Sequence, residues 1–167
     1  QKKTGVRPAL VLAILQQESN MGANVGSCVI TNLSTGETKG VNYGTIFPNG
    51  IHPTRDLPLL RAIVEGLGRN PLTTRVSCPL ASGGYGGAMG PTQFIPSTWN
   101  SFQTRIANTL GKGLADPWNP EDAIMASSIY LGDLGASVGG FTAERTAALK
   151  YYAGSNWNKK ANAFYGN

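Results

Sequence analysis

No stretch of this chain alternates apolar and polar residues for long enough to force a β-sheet, whereas apolar residues recur at helical spacing in several places. The clearest case is Leu57 to Leu67, where Leu60, Ile63, Val64 and Leu67 make one stripe and Arg61, Glu65 and Arg69 follow one another at i, i+4 on the other side. A first helix is expected from Pro8, which suits an initial turn, to Asn20, with Gly22 just past its end. Asp56 is expected to cap the second. Ser97 caps a third that reaches Leu110, Asn119 and Pro120 open a fourth, and Thr142 caps a fifth through Ala153, with a short one from Asn158 to Tyr165. Between the first two lies an irregular lobe, Ala23 to Pro53, whose VITNL piece reads as a short strand. The expectation is a mainly α single domain over 1–167 with at most a small β element.

Length agrees, because 167 residues suit one domain. The net charge is +5, but the 14 basic residues are scattered singly or in pairs, which argues against a nucleic-acid partner. Such a surface suits loose attraction to an anionic polymer, or is simply that of a soluble basic domain. The longest apolar run, Ala9 to Leu15, is far short of the roughly 18 residues of a membrane span, and no basic-then-apolar leader precedes it. A start at Gln1 is expected of a processed chain or of a domain cut from a longer one.

Cys28 and Cys78 both sit in turn-like contexts, VGSCVITN and TTRVSCPLASG, and read as a disulfide staple rather than as two unrelated buried thiols. Closing their roughly 50-residue loop contributes on the order of 4 kcal/mol and implies an oxidising compartment. With His52 the one histidine and no CxxC pair, neither a metal site nor a cofactor is expected.

Nine residues are acidic. Glu37 lies in a turn, Asp56 is a cap and Glu65 sits between arginines. Glu121, Asp122 and Glu144 occupy first helical turns, Asp116 precedes a loop proline, and Asp133 is near a helix end. Glu18 has no such reading. Stepping back from it by the helical repeat reaches Ile14 or Leu15, then Val11 and Leu10, so it continues the apolar stripe. Partial burial and the negative end of the helix dipole both disfavour its charged form, as general-acid chemistry requires. The alternative is an acid that frays into water.

Four ordered blocks then resemble one family. They are the helix ending QQES, the turn GAMGPTQFIPSTW, the segment DPWNPEDAI running to IYLGDLGA, and the late ALKYYAGSN. In that order they resemble the signature of lytic transglycosylases with a goose-lysozyme-like fold, and most of all the membrane-bound lytic transglycosylase B type. The resemblance implies that Glu18 is the single acid/base and Ser19 its small polar neighbour. It implies that Ala88, Met89 and Gly90 line the cleft floor, that Gln93 and Phe94 meet an N-acetyl sugar, and that Tyr85 is a cleft-edge ring. Met89 and Phe94 read equally well as core. Of the late tyrosines Tyr152 is favoured to reach the acid, with Tyr151 the substitute if the alignment slides by one. Two departures stand out: Ala153 where relatives carry asparagine, and Gly84 where they often carry serine.

The implied activity is non-hydrolytic cleavage of the bond between N-acetylmuramic acid and N-acetylglucosamine in peptidoglycan glycan strands, leaving 1,6-anhydro ends. One carboxylate suffices for it, whereas ordinary glycosidases use two. The alternatives are a goose-type lysozyme hydrolysing the same bond and a non-catalytic glycan-binding domain. The implied setting is bacterial, periplasmic or extracellular and associated with the cell wall, for a monomer.

Overall fold

The computed structural model describes residues 2–159. Its helices are α1 (Pro8–Ser19), α2 (Leu57–Gly66), α3 (Pro96–Leu110), α4 (Pro120–Asp133) and α5 (Phe141–Ala153), with short 3-10 turns at Ala136–Val138 and Gly154–Asn156. Proline stands at the first or second position of α1, α2, α3 and α4, where its fixed φ fits and its missing N–H costs nothing. Of the short helix expected over Asn158 to Tyr165, the first two residues form a turn and a bend, and the rest lies outside the described residues.

Three short strands, β1 (Cys28–Ile30), β2 (Thr38–Gly40) and β3 (Ile46–Phe47), form an antiparallel meander in the lobe after α1. Val29 lies opposite Lys39, and Lys39 opposite Ile46. The lobe is fastened twice. Cys28 is disulfide-bonded to Cys78, and its backbone exchanges two hydrogen bonds with Val76, at 3.0 and 2.9 Å.

Two apolar clusters hold the helices. The larger gathers Leu60, Val64, Met89, Trp99 and Ile106 around α2, α3 and the chain between them. The smaller joins α1 to α4 and α5 through Val11, Ile14, Leu15, Leu131 and Ala147. Tyr151 packs against both, so the junction of the two cores falls at its ring.

Capping is where the polar chemistry departs from the expected pattern. Asp56 makes no side-chain cap on α2, and Ser97 makes none on α3. Instead α3 begins two residues early, at Pro96, and the Ser97 N–H donates to Asp56 Oδ1 at 3.0 Å. Asp56 is fully buried, and Arg55 closes its other oxygen at 2.6 Å, so one acid satisfies an orphan donor of a different helix. Similarly α5 starts at Phe141 after Gly140 rather than under a Thr142 cap. Asn119 does cap α4, accepting from the N–H groups of Glu121 and Asp122.

Candidate active site

The C-terminal turn of α1 sets the site. Asn20 and Met21 both adopt left-handed backbone, with φ of 51° and 58°, an uncommon conformation for a residue as bulky as Met21. Ser19 is buried, and its hydroxyl donates to the Leu15 carbonyl at 3.3 Å while accepting the Gly22 N–H at 2.9 Å. Both hydrogen-bonding directions of its hydroxyl therefore serve the turn. That turn brings Gly22 against Pro91, in the block after the glycine-rich loop. Glu18, partly buried, sits one residue before it.

The opposing wall is a tight hairpin. Met89 and Phe94 pair as an isolated antiparallel bridge, with the Met89 N–H donating to the Phe94 carbonyl at 3.0 Å. At Gly90, φ is 61° and a Cβ would overlap the Pro117 carbonyl oxygen, so the position admits only glycine. Gln93 also has positive φ, and its Nε2 donates to the Gly90 carbonyl at 2.8 Å, bracing the hairpin from inside. Met89 and Phe94 are buried in the larger core, the alternative that the sequence left open for them, so their side chains support the floor from beneath. Ala88 and Gln93 keep partial exposure.

Tyr151 connects the two walls to α4. Its hydroxyl lies 3.2 Å from the Thr92 carbonyl and 3.0 Å from Ser127 Oγ. A carbonyl only accepts, so Tyr151 donates to Thr92 and Ser127 donates to Tyr151. Burial raises the phenol well above the usual tyrosine range, the Ser127 bond offsets part of this, and the negative charges of Glu18 and then of Tyr130 push further in the same direction. Tyr152, by contrast, is 50% exposed. The more buried tyrosine of the pair is therefore Tyr151. Helical phase explains it, because Ala147 and Ala148 are buried and Tyr151 follows them at i+4 and i+3.

Tyr85 stands 44% exposed among glycines, its ring 4.7 Å from that of His52 and tilted by 46°. Sequence reasoning passed over His52, Ser127 and the Thr92 carbonyl. Only Ser127 left a sign, as a hydroxyl inside an otherwise apolar helix stripe.

Eight further carboxylates make ion pairs or hydrogen bonds within the fold. Ion pairs join Glu144 to Arg7, Asp56 to Arg55, Glu65 to Arg61, Asp116 to Arg69, Asp133 to Arg105, and both Glu121 and Asp122 to Lys112. Glu37 accepts from Thr31 at 2.7 Å. Among the described residues no group of three or more His, Cys, Asp or Glu side chains is placed to hold a metal ion.

Residues 1–163 match the transglycosylase SLT domain. The chain belongs to that family. Solved structures share the fold of this SLT domain. Escherichia coli lytic transglycosylase Slt35 in complex with calcium is 23% identical with a TM-score of 0.55, over 80% of this chain and 38% of that one. Soluble lytic transglycosylase SltB1 from Pseudomonas aeruginosa is 24% identical with a TM-score of 0.55, over 80% and 40%. A 36 kDa muramidase/transglycosylase is 24% identical with a TM-score of 0.56, over 80% and 38%. The SLT domain thus spans about two fifths of these neighbours. No curated protein matches it.

Proposed function

We propose that this SLT domain is a peptidoglycan lytic transglycosylase of the membrane-bound lytic transglycosylase B type, with Glu18 as its one acid/base. The observation that carries the reading is the match of residues 1–163 to the SLT domain together with the place of Glu18, partly buried at the end of α1 just before the turn that sets Gly22 against Pro91 of the motif. Protonated Glu18 gives its proton to the oxygen between N-acetylmuramic acid and N-acetylglucosamine, and that bond breaks. The acetamide of the muramic acid stabilises the cationic anomeric carbon, which removes the need for a second carboxylate. Anionic Glu18 then takes the proton of the C6 hydroxyl as that oxygen bonds to the anomeric carbon, closing the 1,6-anhydro ring and restoring the acid.

Tyr151 is a positioning residue in this scheme. Its hydroxyl ties the Thr92 carbonyl to α4 and so fixes the hairpin facing Glu18. Tyr85, Ala88 and Gln93 are the partly or well exposed residues through which the motif meets the sugar, and Tyr152 is exposed enough to join them. Hydrolysis through a positioned water is less favoured, because Asp116 and Asp133, the two loose acids, are each held by an arginine at 2.6 and 2.7 Å. A disulfide supports a periplasmic or extracellular address, and none of the described helices is long and apolar enough to cross a membrane.

The deciding experiment is mass spectrometry of peptidoglycan digested by wild type and by Glu18→Gln. The wild type is expected to release muropeptides one water lighter than hydrolytic products, and the variant to lose about 10²-fold or more in rate without change of fold. Reducing ends in place of anhydro ends establish the lysozyme reading, and undiminished turnover by the variant removes Glu18 from its role.

A further inference from the structure

On the disulfide lobe, away from the α1 turn in sequence, Ser27, Asn42, Tyr43, Thr45, Phe47 and Cys78 surround a hollow of about 130 Å³. Tyr43 occupies the turn between β2 and β3 and is 93% exposed, so the fold gains almost nothing from its ring. Val41 and Ile46 beside it are exposed as well. The hairpin that carries the ring is firm, with Gly40 donating to the Thr45 carbonyl at 2.8 Å and Val41 donating to that of Ser27 at 2.8 Å. Two rings, an amide and two hydroxyls, with no charged side chain among the lining residues, suit a ligand that has an apolar face and neutral hydrogen-bonding groups. A sugar ring with its hydroxyls and N-acetyl amide has both.

The hollow also lies close to the proposed cleft. Cys78 on its wall follows Ser77, whose N–H donates to the Ala88 carbonyl at 2.8 Å and whose Oγ accepts the Ala88 N–H at 2.9 Å. Ala88 begins the motif hairpin. One polymer can therefore touch both places.

We infer that the lobe carries a second, distal binding site for a neutral N-acetylated sugar, which holds a glycan strand already engaged at the motif hairpin. This rests on the proposed glycan substrate. It predicts that affinity rises with chain length through Tyr43 and Asn42. The test is calorimetric titration of Glu18→Gln, which does not turn over its ligand, with N-acetylglucosamine oligomers of increasing length. The same titration is run with Tyr43→Ala, Asn42→Ala or Tyr85→Ala added. Tyr43→Ala is expected to weaken the longest oligomers roughly five- to tenfold relative to the shortest, and Tyr43→Phe to restore most of that loss. Tyr85→Ala should weaken all lengths alike. Because Tyr43 packs against so little, a thermal melt should show an unchanged fold. Equal affinities with and without Tyr43 at every length overturn the distal site while leaving the cleft reading intact. No binding at any length overturns both.

Discussion

Tyr151 shows how much one side chain decides here. Its hydroxyl is sandwiched between a donor and an acceptor, Ser127 and Thr92, in a part of the fold that excludes water. Tyr151→Phe leaves both unsatisfied, so urea unfolding should register a loss of about 1 to 3 kcal/mol. If the positioning role is right, Tyr151→Phe also lowers kcat more than it raises KM, since it loosens the wall facing Glu18. Gly90 belongs to the same wall. Gly90→Ala forces a Cβ onto the Pro117 carbonyl in a left-handed conformation, and a loss of about 2 kcal/mol or more in the same titration is expected. Helical phase sets Glu18 apart as the acid that continues an apolar stripe, and the fold keeps it partly buried. The same phase reasoning, extended from Ala147 and Ala148, marks Tyr151 as the more buried of the two late tyrosines. The local bonds of Ser19 were not legible, because a small polar residue beside an acid reads the same whether its hydroxyl faces a ligand or closes its own turn.

At the scale of elements, helices were readable because they carry their own signals: proline in the first turn of α1 to α4, apolar residues at helical spacing, and a glycine or asparagine at or just past the end. Caps were less so. An N-cap is local in sequence only when the side chain bonds its own helix, and Asp56 instead reaches across 41 positions to Ser97. Asp56→Ala should therefore destabilise by about 2 to 4 kcal/mol, since it removes a buried partner of Arg55 and orphans a donor of α3. Ser97→Ala should be nearly silent in the same chemical denaturation, because the Ser97 hydroxyl caps nothing. Had Ser97 capped its own helix, the two sizes would be reversed or similar. Strands were the weakest reading. β2 and β3 hold three and two residues, too few for alternation to show, and their pairing depends on turns that close them rather than on their own composition.

For the molecule as a whole, an ion pair and a disulfide hold parts far apart in the chain. Arg7, just before α1, hydrogen-bonds through two nitrogens to the buried Glu144 in the first turn of α5. The Arg7 hydrogen bond holds the Glu144 carboxyl below its ordinary 4.5, outweighing the opposing effect of burial. A depressed carboxyl stabilises the fold above that ordinary value and loses its contribution as pH falls through the folded one, so wild type should lose stability below about pH 4.5 more steeply than Glu144→Gln. The disulfide acts on the lobe. Cys28 and Cys78 are 50 positions apart, and removing their bond restores loop entropy to the unfolded chain at a cost of about 4 kcal/mol. For a chain of this size that corresponds to a melting temperature lower by about 8 to 16 °C. Because the backbone bonds between Cys28 and Val76 do not need the sulfurs, the lobe should remain docked in the Cys28→Ser, Cys78→Ser variant until the whole domain melts. Hydrogen exchange followed by mass spectrometry separates the outcomes. Exchange that quickens only at global unfolding supports two independent fastenings, while early exchange confined to residues 28–50 shows that the sulfurs alone kept the lobe against the motif hairpin.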